Sequence, residues 1–123
     1  MATRLFSSTS VATTLASSIS STATSMTVTA GTGTALLCNV SVNSGDQFTV
    51  ALDVDTASEE IVFITAASTD TFTISRGEAG TSNIAHSTGA SVKHVLTSDD
   101  LNAFEEGLTS QDSTPIAFLY MGA

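Results

Sequence analysis

The chain has 123 residues, of which 41% are hydrophobic and 12% are charged, and this size suits one domain with a modest core. Three basic residues against twelve acidic ones give a formal net charge of -9, which leaves no cationic surface for nucleic acid or for an anionic membrane. Serine and threonine supply about a third of the residues. This composition is typical of a β-rich structural protein and differs from that of an ordinary cytosolic enzyme.

Neither a disulfide framework nor a membrane segment is expected from the sequence. Cys38 is the single cysteine, so an internal disulfide is excluded. The longest central apolar run is Ile61–Ile64, which is far shorter than the ~18 residues of a membrane span. We also expect no signal peptide, because residues 1–24 contain no continuous apolar stretch.

Residues 1–24 form the first predicted unit, a Ser/Thr-rich N-terminal arm. Apolar residues are sparse in it, and hydroxyl side chains compete for backbone hydrogen bonds, which disfavours a helix. We expect an extended arm that becomes ordered only where it lies along another surface, and a flexible tail is the alternative. The arm residues expected to contact a partner are Leu5, Phe6, Val11 and Leu15.

Residues 25–108 form the predicted β domain. Alternating or continuous apolar runs predict strands within residues 25–30, 35–42, 47–52, 59–66, 71–76 and 90–96. The strand at 59–66 is apolar on both faces, which favours a central position. Residues 77–89 contain three glycines and form the predicted long loop. The regular spacing of strands and polar turns predicts a mainly β fold, a small antiparallel sandwich or barrel with one short C-terminal helix and extended N- and C-terminal arms.

The hydrophobic period changes after the last strand. Apolar residues at positions 101, 104 and 108 have helical spacing, so we predict a short helix over about residues 98–108, capped by Thr97 or Ser98. Residues 109–123 are an apolar C-terminal arm or a closing strand of the core, and both interpretations remain open. The residues of this segment expected to make contacts are Ile116, Phe118, Leu119 and Tyr120.

The candidates for catalysis and metal binding are weak. His86 lies beside Ser87 in the glycine loop, but neighbouring side chains of an extended chain point apart, and no G-x-S-x-G motif is present. Asp53, Asp55 and Glu59 could offer oxygens to calcium, but their spacing departs from that of a calcium loop, so a solvated acidic turn is expected. We therefore expect no enzymatic activity, no cofactor and no metal.

Arg76 is the only cation between Arg4 and Lys93. In a strongly acidic chain such an arginine is expected to form a bidentate pair with a carboxylate. Three carboxylates are candidates, and the pair would fix the long loop: Glu59, Glu60 and Glu78.

Three segments follow one another in a characteristic order: E-E-I-V at residues 59–62, R-G-E-A-G-T-S at 76–82 and A-H-S-T-G-A-S-V at 85–92. Together with the Ser/Thr-rich start and L-T-S-D-D-L at 96–101, this set resembles small virion proteins of tailed bacteriophages. These include head decoration or accessory proteins and the N-terminal modules of tail fibres. The resemblance covers roughly residues 8 to 106. The positions that match the pattern, which we expect to form a structural loop, are Arg76, Gly77, Gly80, Thr81, His86 and Gly89.

The resemblance implies a non-enzymatic interaction module, located in a virion that is assembled in the host cytoplasm. The expected function is that of a capsid decoration or cement protein. Its expected partners are copies of itself, as a homotrimer or another symmetric oligomer, and the major capsid protein or another virion protein. A tail or neck component that attaches a fibre or baseplate part is the alternative. A secreted carbohydrate-binding module ranks third, because the sequence has no Trp and one Tyr.

Overall fold

The computed structural model describes residues 3–38, 40–98 and 100–102. The predicted mainly antiparallel β architecture is confirmed. Ser98 and residues 100–102 are helical, and the rest of the helix predicted at 98–108 lies outside the described residues, as does the segment 109–123. The elements are β1 (Thr3–Leu5), β2 (Thr13–Thr14), β3 (Ser25–Thr27), α1 (Gly33–Leu37), β4 (Asp46–Leu52), β5 (Glu60–Ser68), β6 (Thr71–Glu78) and β7 (Ser91–His94).

The strands form a single curled, barrel-like sheet in the order β2-β7-β4-β5-β6-β3. These pairings are antiparallel, whereas β1 pairs with the start of β4 in parallel. The two ends of this order meet, because Leu15 just after β2 forms a bridge with Val28 just after β3. Main-chain bonds from Ala16 to Thr27 and from Thr29 to Thr14, both 2.9 Å, flank this bridge.

The core lies inside the curl of the sheet. Phe48, Val50 and Leu52 alternate along β4 and are fully buried on one face. Burial of a side chain of this size stabilises a fold by roughly 1.5–3 kcal/mol. In β5, Val62 and Ile64 face the core, and Ile61 and Phe63 on the other face are buried as well. β5 has the predicted central position between β4 and β6. Other core residues are Leu15, Met26, Val28, Leu36, Val62, Ile64, Phe72, Ile74 and Val92.

The strand predicted at residues 35–42 is wrong, because the chain forms the short helix α1 at Gly33–Leu37 instead. The contacts of Gly33 and the preceding turn explain the difference. The carboxylate of Asp70 accepts hydrogen bonds from the N–H groups of Gly31 at 3.0 Å and Gly33 at 2.9 Å. This distant residue supplies acceptors at the start of the helix, where Thr32 makes no side-chain cap.

The N-terminal segment is extended, as predicted, but it lies along the sheet of its own chain. β1 pairs with β4 and β2 pairs with β7, and Leu15 and Ile19 are core residues with 1% and 8% exposure. The interpretation of Leu15 as a contact residue for a partner is therefore corrected: its side chain completes the core. Leu5 packs partly against the core, whereas Phe6 and Val11 are exposed.

Hydroxyl groups of the N-terminal segment also bond within the fold. The hydroxyls of Thr13 and Thr32 lie 2.7 Å apart, and those of Thr14 and Thr29 are at the same distance. The Ser/Thr-rich composition therefore serves pairing with the chain's own sheet.

Candidate functional site

The residues that carry the sequence motifs meet in a buried ionic network, which we call the Glu60 centre: Asp53, Glu60, Arg76 and His86. Glu60 is the first residue of β5, Arg76 lies in β6, and Asp53 directly follows β4. His86 lies in the long loop, where it forms an isolated bridge with Ile19 of the N-terminal segment. The network therefore joins three strands of the sheet, the loop and the N-terminal segment.

The carboxylate of Glu60 is the acceptor at the middle of this network and is fully buried. Arg76 donates to both of its oxygens, from Nε at 2.8 Å and from Nη2 at 2.9 Å. The N–H groups of Gly77 and Ile84 donate at 2.9 and 3.2 Å. Burial raises the pKa of Glu60, but the hydrogen bonds from Arg76, His86 and the two main-chain groups outweigh it and hold this pKa at about 2.

Arg76 uses all of its N–H groups inside the protein. Besides the bidentate pair with Glu60, Nη1 donates to the main-chain oxygens of Ser20 at 2.7 Å and Ala23 at 2.9 Å, and Nη2 donates to that of Ile84. A guanidinium has five N–H donors, and here each has an acceptor. Of the three carboxylates named from the sequence, Glu60 is the partner, and the cation fixes both the long loop and the N-terminal segment.

The ring of His86 lies between two carboxylates. Its Nδ1 is 2.7 Å from Asp53 Oδ2 and its Nε2 is 2.8 Å from Glu60 Oε1, while the ring itself is fully buried. Both carboxylates accept when ionised, so this geometry accommodates an imidazolium with a proton on each nitrogen.

The prediction that Arg76 and Gly77 belong to a loop is corrected, because β6 extends to Glu78; Gly77 and the other residues named from the sequence shape the chain around Glu60. Gly77 has a φ of 60°, and a Cβ there would come within 3.2 Å of the Asn83 nitrogen. The Thr81 hydroxyl accepts from Ile61 N–H at 2.9 Å and donates to the Glu78 carbonyl oxygen at 2.7 Å. Gly80 and Gly89 occupy turns with φ of 82° and 89°, which only glycine adopts without strain.

The Glu60 centre is built to hold segments together. The side chains of Glu60 and His86 are fully buried, and that of Arg76 is 7% exposed. In the described part of the chain, the hydrogen-bond partners of the His86 ring are carboxylates and not a nucleophilic hydroxyl or thiol. Within the same residues, no group of three or more His, Cys, Asp or Glu side chains is arranged to hold a metal ion.

The acidic turn considered for calcium instead serves the fold. Asp53 turns its carboxylate to His86, and Asp55 donates its N–H to Glu59 Oε1 at 3.3 Å. Asp53 and Asp55 both have positive φ, at 53° and 64°, which folds the turn tightly. The sequence did not pair Asp53 with His86, since the two residues lie far apart along the chain and no local spacing relates them.

A second ion pair lies at the start of the C-terminal helix. Arg4 Nη1 donates to the buried carboxylate of Asp100 at 2.7 Å, and the Thr49 hydroxyl donates to it at 3.2 Å. Asp100 and Thr97 form a reciprocal capping box, so the predicted cap at Thr97 is confirmed. Burial raises the pKa of Asp100, but its hydrogen bonds from Arg4, Thr97 and Thr49 outweigh it and lower that pKa. The guanidinium of Arg4 also lies 5.3 Å from the centre of the Phe63 ring.

His94 lies next to this ion pair and has a different role from His86. Its ring stacks on Phe48 with centroids 4.1 Å apart. Nδ1 faces the Thr49 carbonyl oxygen at 2.7 Å and Nε2 accepts from Ser7 N–H at 3.3 Å. These partners fit a neutral ring with its proton on Nδ1.

Three exposed apolar side chains belong to the segments that meet at His94 and Asp100, and we call them the apolar patch: Phe6, Leu96 and Leu101, with 47%, 59% and 54% exposure. The Phe6 ring lies 6.4 Å from that of His94, two residues before Leu96. Thr97 follows Leu96 directly, and Leu101 lies one helical turn further, since its N–H donates to the Thr97 oxygen at 3.1 Å. Val11, exposed at 56%, is elsewhere, since its N–H bonds to the Ala35 oxygen of α1.

No protein-family model matches the chain, and neither does any curated protein. Among the helices that the structure describes, none combines the length and apolar character that a membrane crossing needs.

Proposed function

We propose that this protein is a non-enzymatic structural component of a bacteriophage virion, a capsid decoration or cement protein that oligomerises on the head. The proposal starts from the ordered sequence motifs at residues 59–62, 76–82 and 85–92, which resemble those of small virion proteins. Its partners would be copies of itself in a symmetric oligomer, such as a homotrimer, and the major capsid protein.

The observation that supports the proposal is that the motif residues stabilise the fold from inside. Glu60, Arg76 and His86 bind one another in a buried network, and Gly77 and Thr81 shape the chain around it. Because these motif residues are used inside the fold, contacts with partner proteins would be made by other residues, on the surface. A strongly acidic chain suits a protein that binds other proteins and stays dispersed in solution.

Separated virion parts provide the test. Particles of a phage that encodes this chain are purified and dissociated into heads and tails, and the chain is quantified in each fraction by mass spectrometry against the major capsid protein. We expect the chain in the head fraction, at a copy number in a fixed ratio to the capsid protein. Native mass spectrometry of the isolated protein gives its oligomeric state.

Two results would overturn the head assignment. Recovery in the tail fraction at a low copy number would favour the alternative role, the attachment of a fibre or baseplate part at the tail or neck. Absence from both fractions would contradict a virion role altogether.

A further inference from the structure

The apolar patch of Phe6, Leu96 and Leu101 is a surface without a function in the fold described so far. Each side chain is about half exposed, whereas their neighbours Leu5 and Asp100 are partly or fully buried. Isolated exposed apolar residues are ordinary, but three around one contact region favour a binding surface.

The chain itself contains a complementary apolar segment. Residues 116–121 read I-A-F-L-Y-M and carry no charge, and they lie outside the described residues. Removing the side chains of this segment and of the patch from water lowers the free energy of the system.

The connection between the two favours contact within one molecule. Residues 103–115 connect Asn102, next to Leu101, to Ile116, and an extended chain of this length reaches ~40 Å. A tether of this kind keeps the segment at an effective concentration on the order of millimolar near its own patch. A second copy at micromolar concentration competes poorly with that.

We propose that residues 116–121 dock on the apolar patch of their own chain. Ile116, Phe118, Leu119 and Tyr120 supply the apolar side chains, and Phe6, Leu96 and Leu101 receive them. Arg4, whose side chain is 23% exposed, binds Asp100 beside Leu101, and a cation near the patch disfavours a basic segment there. The inference rests on the chain alone and does not depend on the proposed role in a virion.

Paramagnetic relaxation measures this contact directly. A nitroxide label is attached to an Ala117→Cys variant in a Cys38→Ser background. Amide signals are recorded on this protein after ¹⁵N labelling, diluted with protein that carries neither ¹⁵N nor nitroxide. We expect the strongest broadening at Phe6, Leu96 and Leu101 and weaker broadening at residues of the Glu60 centre, which lies at the other end of β4 from Phe48. A second sample mixes ¹⁵N-labelled protein without nitroxide with unlabelled protein that carries it, and here we expect no broadening.

Matched variants separate docking from chance proximity. Leu96→Ser should abolish the broadening at Phe6 and Leu101, and Phe118→Ser should do the same while the remaining amide spectrum stays that of the folded protein. Val11→Ser removes an equally exposed apolar side chain at a different place and should leave the broadening intact. Broadening only in the mixed sample would overturn docking within the chain and assign the patch to a second copy. No broadening in either sample, or broadening insensitive to Leu96→Ser, would overturn the site itself.

These outcomes are independent of the virion experiment. A protein absent from heads could still show the intramolecular contact, and a true head protein could lack it.

Discussion

Glu60 and Glu59 are neighbours in the chain with opposite environments. The side chain of Glu60 is fully buried and receives hydrogen bonds from Arg76, His86 and two main-chain N–H groups. Glu59 is half-buried and accepts from Asp55 N–H at 3.3 Å. Glu60 is the first residue of β5 and enters the network, whereas Glu59 lies in the turn before the strand and stays near water.

The first prediction concerns the charge of Glu60. Glu60→Gln removes an anion that Arg76 and His86 share and places an amide NH₂ among donors. Leaving a buried cation without its partner is strongly destabilising, so we expect the free energy of unfolding to fall by about 3 kcal/mol or more. Urea denaturation at pH 7 measures the loss. Glu59→Gln is the control and should change stability by less than about 0.5 kcal/mol; equal losses in the two variants would contradict the account.

The second prediction concerns acid. The pKa of Glu60 is lowered in the folded protein from 4.5 to about 2, so its ionised form stabilises the fold above pH 4.5. This contribution is lost as pH falls from 4.5 through 2, because the unfolded chain binds the proton first. The wild-type protein should lose stability more steeply in this range than Glu60→Gln. Denaturation curves at several pH values give both slopes, and parallel slopes would show that Glu60 is not the group responsible.

At the scale of single residues, the sequence predicted part of the network. Arg76 stood out because it is a rare cation in an acidic chain, and Glu60 was one of three acceptors named for it. Selecting Glu60 required the register of β5 against β6, which composition does not contain. The pairing of Asp53 with His86 depends on the positive φ of Asp53 and on the bridge between His86 and Ile19. Neither leaves a local sequence signal.

Helix α1 shows how a distant contact can decide the structure of an element. Its sequence reads as a short apolar run, which fits a strand or a helix. Asp70, in the turn between β5 and β6, accepts from the N–H groups of Gly31 and Gly33 and so fixes the start of the helix. These two hydrogen bonds lower the pKa of Asp70.

The third prediction follows from the packing of Gly33. A Cβ on this residue would lie 2.1 Å from the Thr69 carbonyl oxygen and 2.9 Å from the Asp70 Cα, so α1 and the β5–β6 turn would have to separate. We expect Gly33→Ala to lower the free energy of unfolding by at least about 2 kcal/mol. Thermal and urea unfolding measure it. Thr34→Ala, at the next and exposed position of the same helix, should be nearly neutral. A Gly33→Ala protein as stable as wild type would mean that α1 does not pack on this turn.

The elements that the sequence predicted well are β4, β5 and β6, which are long; β4 and β6 alternate, and β5 is a continuous apolar run. The strands of the N-terminal segment were missed because β1 and β2 have three and two residues, too few to show a period, whereas β3 falls within the strand predicted at residues 25–30. The parallel pairing of β1 with β4 could not be predicted from the hydrophobic pattern either, since it depends on hydrogen bonds between segments that are distant in the chain.

For the whole molecule, the N-terminal segment is what closes the sheet. Leu15 contributes a buried side chain and a bridge to Val28, and Ile19 bridges to His86. Arg76 binds the oxygens of Ser20 and Ala23 in the same segment. The segment and the motif residues are therefore parts of one structure, and partners are left with the outer surface.

Native-state hydrogen exchange tests this closure most directly. The amides of Leu15 and Ile19 donate to the oxygens of Ala90 and His86, both at 2.9 Å, and Gly89 donates to Leu15. We predict that these amides exchange with the same free energy as those in the middle of β4, because opening them requires unfolding of the whole domain. Exchange of Leu15 and Ile19 at nearly the unprotected rate, while β4 stays protected, would show that the N-terminal segment is a separate arm and would contradict the account.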